Sequence, residues 1–263
     1  MTDYLTAFIL GLIQGFTEFL PISSSGHLEI AKTLLKDDFL IKESILLTVV
    51  LHGATAISTI VVFHREIFKI LKDLLVFKKN QSTLFSWHII ISMFPATLIS
   101  VFFEKNIEKL FNGNLILVGL MLFVTAIILV FSSKSISSNK YLNTKNAFII
   151  GLAQAIAILP GISRSGSTIA MSLILGINKT EAAKFSFLMV VPLILGGMIK
   201  NLSEINTINN YDLNFLIIGF FTAFFSGLIA CKWMIKIVEK SKLWHFSIYC
   251  LIIGSFSIYI GIS

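Results

Sequence analysis

Charge is what this sequence has least of. Charged residues make up 13% of its 263 positions and hydrophobic ones 56%, whereas a soluble domain carries about 25% charged residues. A water-facing surface cannot be built from so few charges, so a soluble globular domain is excluded. Arginine is nearly absent, with only Arg65 and Arg164. The two cysteines, Cys231 and Cys250, both lie in apolar runs, which excludes a disulfide framework or a cysteine zinc site and leaves them as small hydrophobes. Of the four prolines, Pro21 and Pro160 each open a short Gly/Ser-containing break. The net charge of +7 comes mainly from lysines between apolar runs. That is the pattern of topology-setting loops rather than of a phosphate-binding stripe, so nucleic acid is not a partner.

What is abundant is long apolar stretches. Six runs, roughly 44–63, 86–103, 115–132, 183–200, 213–231 and 244–262, are long enough to cross a bilayer as helices. Trp87, Trp233 and Trp244 stand at run ends, where an amphipathic ring favours the interface. The first twenty residues carry only Asp3 as a charge before their apolar stretch, and Gln14 and Glu18 interrupt it. They are expected to belong to the mature protein rather than to a signal peptide.

Two further segments are too broken to span simply. Residues 4–20 lead into Pro21-Ile22-Ser23-Ser24-Ser25-Gly26-His27, and residues 146–159 into Pro160-Gly161-Ile162-Ser163-Arg164-Ser165-Gly166. Each is followed by another short stretch, through Leu35 and to Gly176. Broken backbone at membrane depth is tolerated only where protein or a wet cavity surrounds it, so both read as re-entrant hairpins. They also resemble each other. Gly11-Leu12-x-Gln14 recurs as Gly151-Leu152-x-Gln154, and Ser23-x-Ser25-Gly26 as Ser163-x-Ser165-Gly166, at one offset of 140 residues. An internal duplication follows, with halves of about 1–132 and 133–263 in one membrane-embedded domain.

Basic residues cluster in 64–83, 133–146 and 232–243, while 201–212 has none and 104–114 has two lysines balanced by Glu104 and Glu108. The positive-inside rule puts the first three in the cytoplasm. The first hairpin then enters from outside, the second from inside, and both termini lie outside the cytoplasm. The expected fold is an all-α polytopic membrane protein of six transmembrane helices plus two re-entrant hairpins, arranged as an inverted repeat whose broken segments meet near mid-membrane.

The chemistry-bearing residues gather in the two breaks. Gln14 and Glu18 share a helix face, as do Gly11 and Gly15, which permit close helix approach. An ionisable residue at this depth is functional by default. His27 shares its break with the Ser23–Ser25 hydroxyls, whereas His52 and His88 lie within spanning runs and read as hydrogen-bonded packing. Arg164, between Ser163 and Ser165 in a Gly-containing loop that opens a helix, suits an anion: loop and helix N–H groups plus a bidentate guanidinium. Ser167 and Thr168 add hydroxyls or cap that helix. An acid/base or nucleophile set facing an anion clamp suits phosphoryl transfer, and the apolar surroundings suit a lipid-tailed substrate.

At these residues the sequence resembles the undecaprenyl pyrophosphate phosphatases of the bacitracin-resistance family. Gln14-Gly15-Phe16-Thr17-Glu18-Phe19-Leu20-Pro21 with Ser23–His27 is similar to that family's (E/Q)-x-x-x-E signature. Pro160–Thr168 is similar to its P-G-x-S-R-S-x-x-T signature. The resemblance implies hydrolysis of a polyprenyl pyrophosphate to the monophosphate carrier lipid and phosphate in the bacterial plasma membrane, with carrier recycling for the cell wall and bacitracin resistance. It implies a divalent cation, Mg²⁺ or Ca²⁺. It makes Glu18 a catalytic or metal-binding carboxylate, Ser24 and His27 the nucleophile or acid/base pair, and Arg164 the pyrophosphate clamp. Gln14, Ser23, Ser25, Ser163, Ser165 and Thr168 are implied at the substrate. The partners are then the lipid substrate and the bilayer, with a homodimer compatible but not required. Where many members carry Glu, this chain has Gln14, which cannot supply a second carboxylate to a metal.

Two rival readings start from the same residues. A transporter or lipid flippase would share the inverted repeat and broken helices, but needs no nucleophile. The phosphatidic-acid-phosphatase superfamily should place a histidine soon after its Ser-Arg block, and none lies between Arg164 and His245.

Overall fold

A computed structural model describes residues 3–35, 38–76, 80–110, 113–133, 140–204, 212–240 and 242–262. Among them the chain is helical, apart from one isolated bridge between Lys140 and Ile177. In order the helices are α1 (Asp3–Phe19), α2 (Ser24–Leu35), α3 (Asp38–Val62), α4 (His64–Leu75), α5 (Gln81–Phe102), α6 (Glu104–Leu110), α7 (Leu115–Ser133), α8 (Thr144–Ile156), α9 (Arg164–Ile174), α10 (Lys179–Glu204), α11 (Leu213–Glu239) and α12 (Trp244–Ile262). Five of them, α5, α7, α10, α11 and α12, are long and apolar enough to cross a membrane; α3 and α4 would make a sixth only if the pair, bent by 81°, were one broken span. The protein is therefore a multi-pass membrane protein.

The segment expected to be a lysine-rich loop, 64–83, differs: residues 64–75 form α4. Phe68, Leu71 and Leu75 recur every three to four residues among Lys69 and Lys72, a helical period hidden inside a charged segment. These three apolar side chains are exposed, Leu75 by 80%. A helix of that pattern, turned sharply from its span, is suited to lie in the membrane interface. Lys78, Lys79 and Lys134, which also carried the orientation argument, lie outside the described residues, as does most of 201–212.

Small residues set the closest helix contacts. A Cβ at Gly11 would stand 2.7 Å from the Gly219 carbonyl, and one at Gly15 2.7 Å from that of Ala223, so α1 lies directly on α11. Likewise α8 lies on α5, where Gly151 meets the Ser92 backbone, and α7 on α12, where Gly119 meets Gly254. Without water to drive association, such close backbone approach supplies the dispersion that holds membrane helices together. α3 packs against both α10 and α11.

The two broken segments are each helix, break, helix, as the prolines predict. In the first, Ser23 takes a left-handed φ of 70°; in the second, Gly161 does so at 99°. Ser23 Oγ accepts the Gly26 N–H (3.2 Å) and Ser163 Oγ the Gly166 N–H (3.0 Å), so equivalent serines cap α2 and α9. The breaks touch. A Cβ at Gly26 would lie 3.1 Å from Gly161 Cα, and the Ser165 hydroxyl donates to the Leu20 carbonyl at 3.1 Å. Thr125 of α7 clamps the second break by donating to the Gly161 carbonyl (2.9 Å) and accepting the Ser163 N–H (3.0 Å).

Candidate active site

Because the breaks meet, the ends of α1, α2 and α9 converge on one buried carboxylate. Glu18 lies one residue before the end of α1 and is 7% exposed. One turn earlier, Gln14 donates its amide N–H to Glu18 Oε2 at 2.9 Å. Ser24, the first residue of α2, donates its hydroxyl to the same oxygen at 2.7 Å. Arg164, the first residue of α9, pairs its guanidinium with Oε1. A carboxylate removed from water is tolerated only when paired and hydrogen-bonded in this way. The cluster thus joins residues 146 positions apart in the chain.

The rest of the cluster is scaffold and electrostatics. The first N–H groups of α2 and α9 have no carbonyl a turn earlier to bond, so two helix N-termini bring partial positive charge to the same place. Ser23 and Ser163 are caps, each 3.3 Å from the next serine but one, Ser25 and Ser165. Thr168 donates to the Arg164 carbonyl (2.9 Å) and lies 2.6 Å from the Ser186 hydroxyl of α10, which steadies the turn that carries Arg164. Two buried polar atoms in this region have no hydrogen-bond partner: Gln14 Oε1 and Ser167 Oγ.

His27 is placed differently from the expected pairing with Ser24. Its Nδ1–H donates to the Ser23 carbonyl at 2.8 Å, and its Nε2 accepts the Tyr249 hydroxyl of α12 at 2.9 Å, with the two rings stacked. The Ser24 hydroxyl is on Glu18 instead. The histidine beside Glu18 is His52 of α3, whose Nε2 is 3.8 Å from Oε2. Sequence reasoning set His52 aside, although the rule that selected Glu18, an ionisable group inside an apolar run, applies to it equally. Tyr249 gave no signal, being one aromatic among many in an apolar helix.

A cavity of about 580 Å³ elsewhere is lined by Glu66, Lys69, His88, Glu181 and Lys184 among others, and contains none of these residues. Its two acids offset its two lysines, so it is a poor match for a pyrophosphate. The Glu18 cluster, with Arg164 and two helix N-termini, offers more positive charge to an anion.

Residues 7–256 match the family model described as bacitracin resistance protein BacA. The chain belongs to that family. Its members named undecaprenyl-diphosphatase include one from Christiangramia forsetii, 53% identical over 253 residues that cover 96% of each chain. Another, from Bacteroides fragilis, is 47% identical over 267 residues and 98% of each chain. A third, from Methanobrevibacter smithii, is 37% identical across 96% of this chain and 95% of its own. The matched span of the BacA family contains both breaks, so Gln14, Glu18, Ser24, His52 and Arg164 all lie within it.

Proposed function

We propose that this chain hydrolyses undecaprenyl pyrophosphate to undecaprenyl phosphate and inorganic phosphate, through the Glu18, Ser24 and Arg164 cluster. The activity recycles the carrier lipid for peptidoglycan synthesis and confers bacitracin resistance. The observation that carries the site assignment is Glu18 itself. One oxygen accepts the hydroxyl of a candidate nucleophile and the other holds the cation best suited to pyrophosphate.

Ser24 Oγ attacks the terminal phosphorus and its proton passes to Glu18 Oε2, 2.7 Å away. The bond from that phosphorus to the bridging oxygen breaks and the prenyl phosphate leaves. Water then attacks the phosphoserine, the Ser24 oxygen recovers its proton from Glu18, and inorganic phosphate departs with the hydrogen of the water. Arg164 and the N-termini of α2 and α9 neutralise charge on the phosphoryl oxygens, which is most of the work in such a reaction. A transporter would need the anion clamp but not a hydroxyl poised on a carboxylate, so the Ser24–Glu18 bond favours the enzyme.

A divalent cation fits this donor set in a limited way. Among the described residues no group of three His, Cys, Asp or Glu is arranged to hold a metal. Both oxygens of Glu18 already accept hydrogen bonds. The donor left over is Gln14 Oε1, a buried carbonyl oxygen without a partner, which suits a hard cation. Gln14, with Glu18 beside it, would be the residue to hold Mg²⁺ or Ca²⁺ there. When bound, it supplies further neutralisation of phosphoryl charge.

The fold behind this site is an inverted repeat with two re-entrant hairpins. Exchanged packing supports it: α1 on α11 is matched by α8 on α5, while α7 on α12 and α3 on α10 pair corresponding helices of the two halves. Lysine placement supports both termini outside the cytoplasm. All of the named side chains come from one chain, so a homodimer adds nothing the reaction needs. The test is phosphate release from undecaprenyl pyrophosphate by purified protein in detergent. Glu18→Ala, Ser24→Ala and Arg164→Ala are each expected to lose on the order of a hundredfold or more. A wild type that binds the lipid yet releases no phosphate with any divalent cation would put transport first.

A further inference from the structure

Arg164 has two duties that conflict. In the substrate-free site its guanidinium is the charged partner of Glu18 Oε1. To clamp a pyrophosphate it must give at least part of that pairing up. Glu18 is 7% exposed, and a carboxylate so buried cannot lose its counter-charge without cost. Gln14 and Ser24 still donate to it, but both are neutral. A side chain able to carry positive charge, within reach, would steady the freed carboxylate.

Among the described residues, one other group with that capacity stands against Glu18. His52 sits on α3 with Nε2 3.8 Å from Oε2, the oxygen that Ser24 and Gln14 share. Its other nitrogen, Nδ1, lies 2.8 Å from the Thr48 carbonyl, which can only accept, so Nδ1 carries a hydrogen. The ring orientation is thereby fixed from within α3, with Nε2 directed at the carboxylate. A neutral ring in that tautomer would aim a lone pair at an anionic oxygen. The doubly protonated ring instead aims an N–H at it. His27 offers a contrast, since its Nδ1 and Nε2 are already occupied by Ser23 and Tyr249 and leave no donor for Glu18.

We propose that His52 is the positioning residue that holds Glu18 against Ser24 when Arg164 moves onto the pyrophosphate. It acts through Nε2–H on Oε2 and does not touch the substrate. The gap of 3.8 Å closes to hydrogen-bond length as Arg164 withdraws, in the way that such bonds tighten on substrate binding. The inference rests on the reading of Arg164 as clamp and deepens it: the site holds two cations on one carboxylate, one to be lent to the substrate and one to remain.

The test is steady-state phosphate release from undecaprenyl pyrophosphate by the full chain in detergent, with His52→Leu, His52→Gln and Ser24→Ala beside wild type. Thermal unfolding of each variant serves as the check on folding. His52→Leu should lower kcat by about 10- to 100-fold, the worth of a charge-assisted hydrogen bond, with KM little changed because His52 does not meet the lipid. His52→Gln keeps an N–H donor but carries no charge and should recover little of that kcat. Wild-type kcat in a folded His52→Leu, or a rise in KM alone, would overturn the proposal. So would a folded His52→Gln as active as wild type, since a charge on residue 52 would then not be the requirement. Full activity in Ser24→Ala would sink the nucleophile assignment alone, because the effect of His52 on Glu18 is read on the same turnover whichever atom attacks.

Discussion

If Glu18 takes the Ser24 proton, the two residues are one functional unit and their losses should not add. Glu18→Gln keeps size and shape but removes the base, and Ser24→Ala removes the attacking hydroxyl. The 2.7 Å bond between them is direct, so neither can do its part without the other. Loss of a positioned base costs about 10²–10⁴ in rate, or roughly 2.7–5.4 kcal/mol. Independent effects of that size would multiply to about 10⁴–10⁸ in the double variant. The expected outcome is a double variant no slower than the slower single, with a coupling energy on the order of 3–5 kcal/mol. Phosphate release in detergent at saturating lipid gives kcat for the four proteins. Unfolding curves identify any loss that comes from Arg164 being left without an anion in Glu18→Gln. Residual rates in which the two losses multiply would refute the pairing, and would mean that Ser24 and Glu18 serve separate steps.

Three further outcomes follow from single contacts. Tyr249→Phe keeps the ring stacked on His27 but removes the hydroxyl that Nε2 accepts; a net hydrogen bond of about 1 kcal/mol predicts a fall in turnover of about fivefold, read by the same assay. Wild-type turnover there would show that His27 does not depend on being held. Gln14→Glu puts a second carboxylate one turn from Glu18 and should lower the Mg²⁺ concentration needed for half-maximal rate; an unchanged metal titration would remove Gln14 from the cation site. Gly15→Leu must displace α11, since even a Cβ would lie 2.7 Å from the Ala223 carbonyl, so the melting temperature in detergent should fall by several degrees, and an unaltered melt would contradict the packing of α1 on α11.

How much of this could be read from the sequence depended on the kind of signal each part leaves. Spans announce themselves by length and hydropathy, and Glu18 and Arg164 by being charges where charge is nearly absent. The breaks were legible because Pro21 and Pro160 stand beside Gly and Ser residues, whereas Pro95 and Pro192 lie within α5 and α10. The division of labour among Ser23, Ser24 and Ser25 was not legible. It is set by rotation about α2: Ser23 faces back to the Gly26 N–H as a cap, and Ser24 faces across to Glu18. The surroundings of His27 and His52 were not legible for a related reason. His27 is adjacent to the serines in sequence, but its ring turns to Tyr249, 222 residues away. His52 reaches Glu18 only because α3 runs beside α1, and no local pattern encodes that neighbour. Helix α4 was missed because lysines in a segment dominated the reading of its apolar period.

The duplicated breaks also explain why the site is built from unlike residues. At the offset of 140, Ser163 corresponds to Ser23 and repeats its cap, whereas Gln154 corresponds to Gln14 but donates to the Ser92 carbonyl rather than to a carboxylate. The positions assigned chemistry in the proposed mechanism are those where the copies differ: Ile158 corresponds to Glu18 and Arg164 to Ser24. Both Ser24 and Arg164 are first residues of a capped helix, and both point at the same carboxylate, one on each oxygen. A duplicated helix start supplies two N-termini for a pyrophosphate. Had both copies kept serine the site would lack a clamp, and had both kept arginine it would lack a nucleophile. One acid in place of two avoids a pair of buried like charges that only a tightly held metal would offset. On the proposed mechanism, the difference at these two paired positions turns an anion cradle into a site that can cleave what it holds.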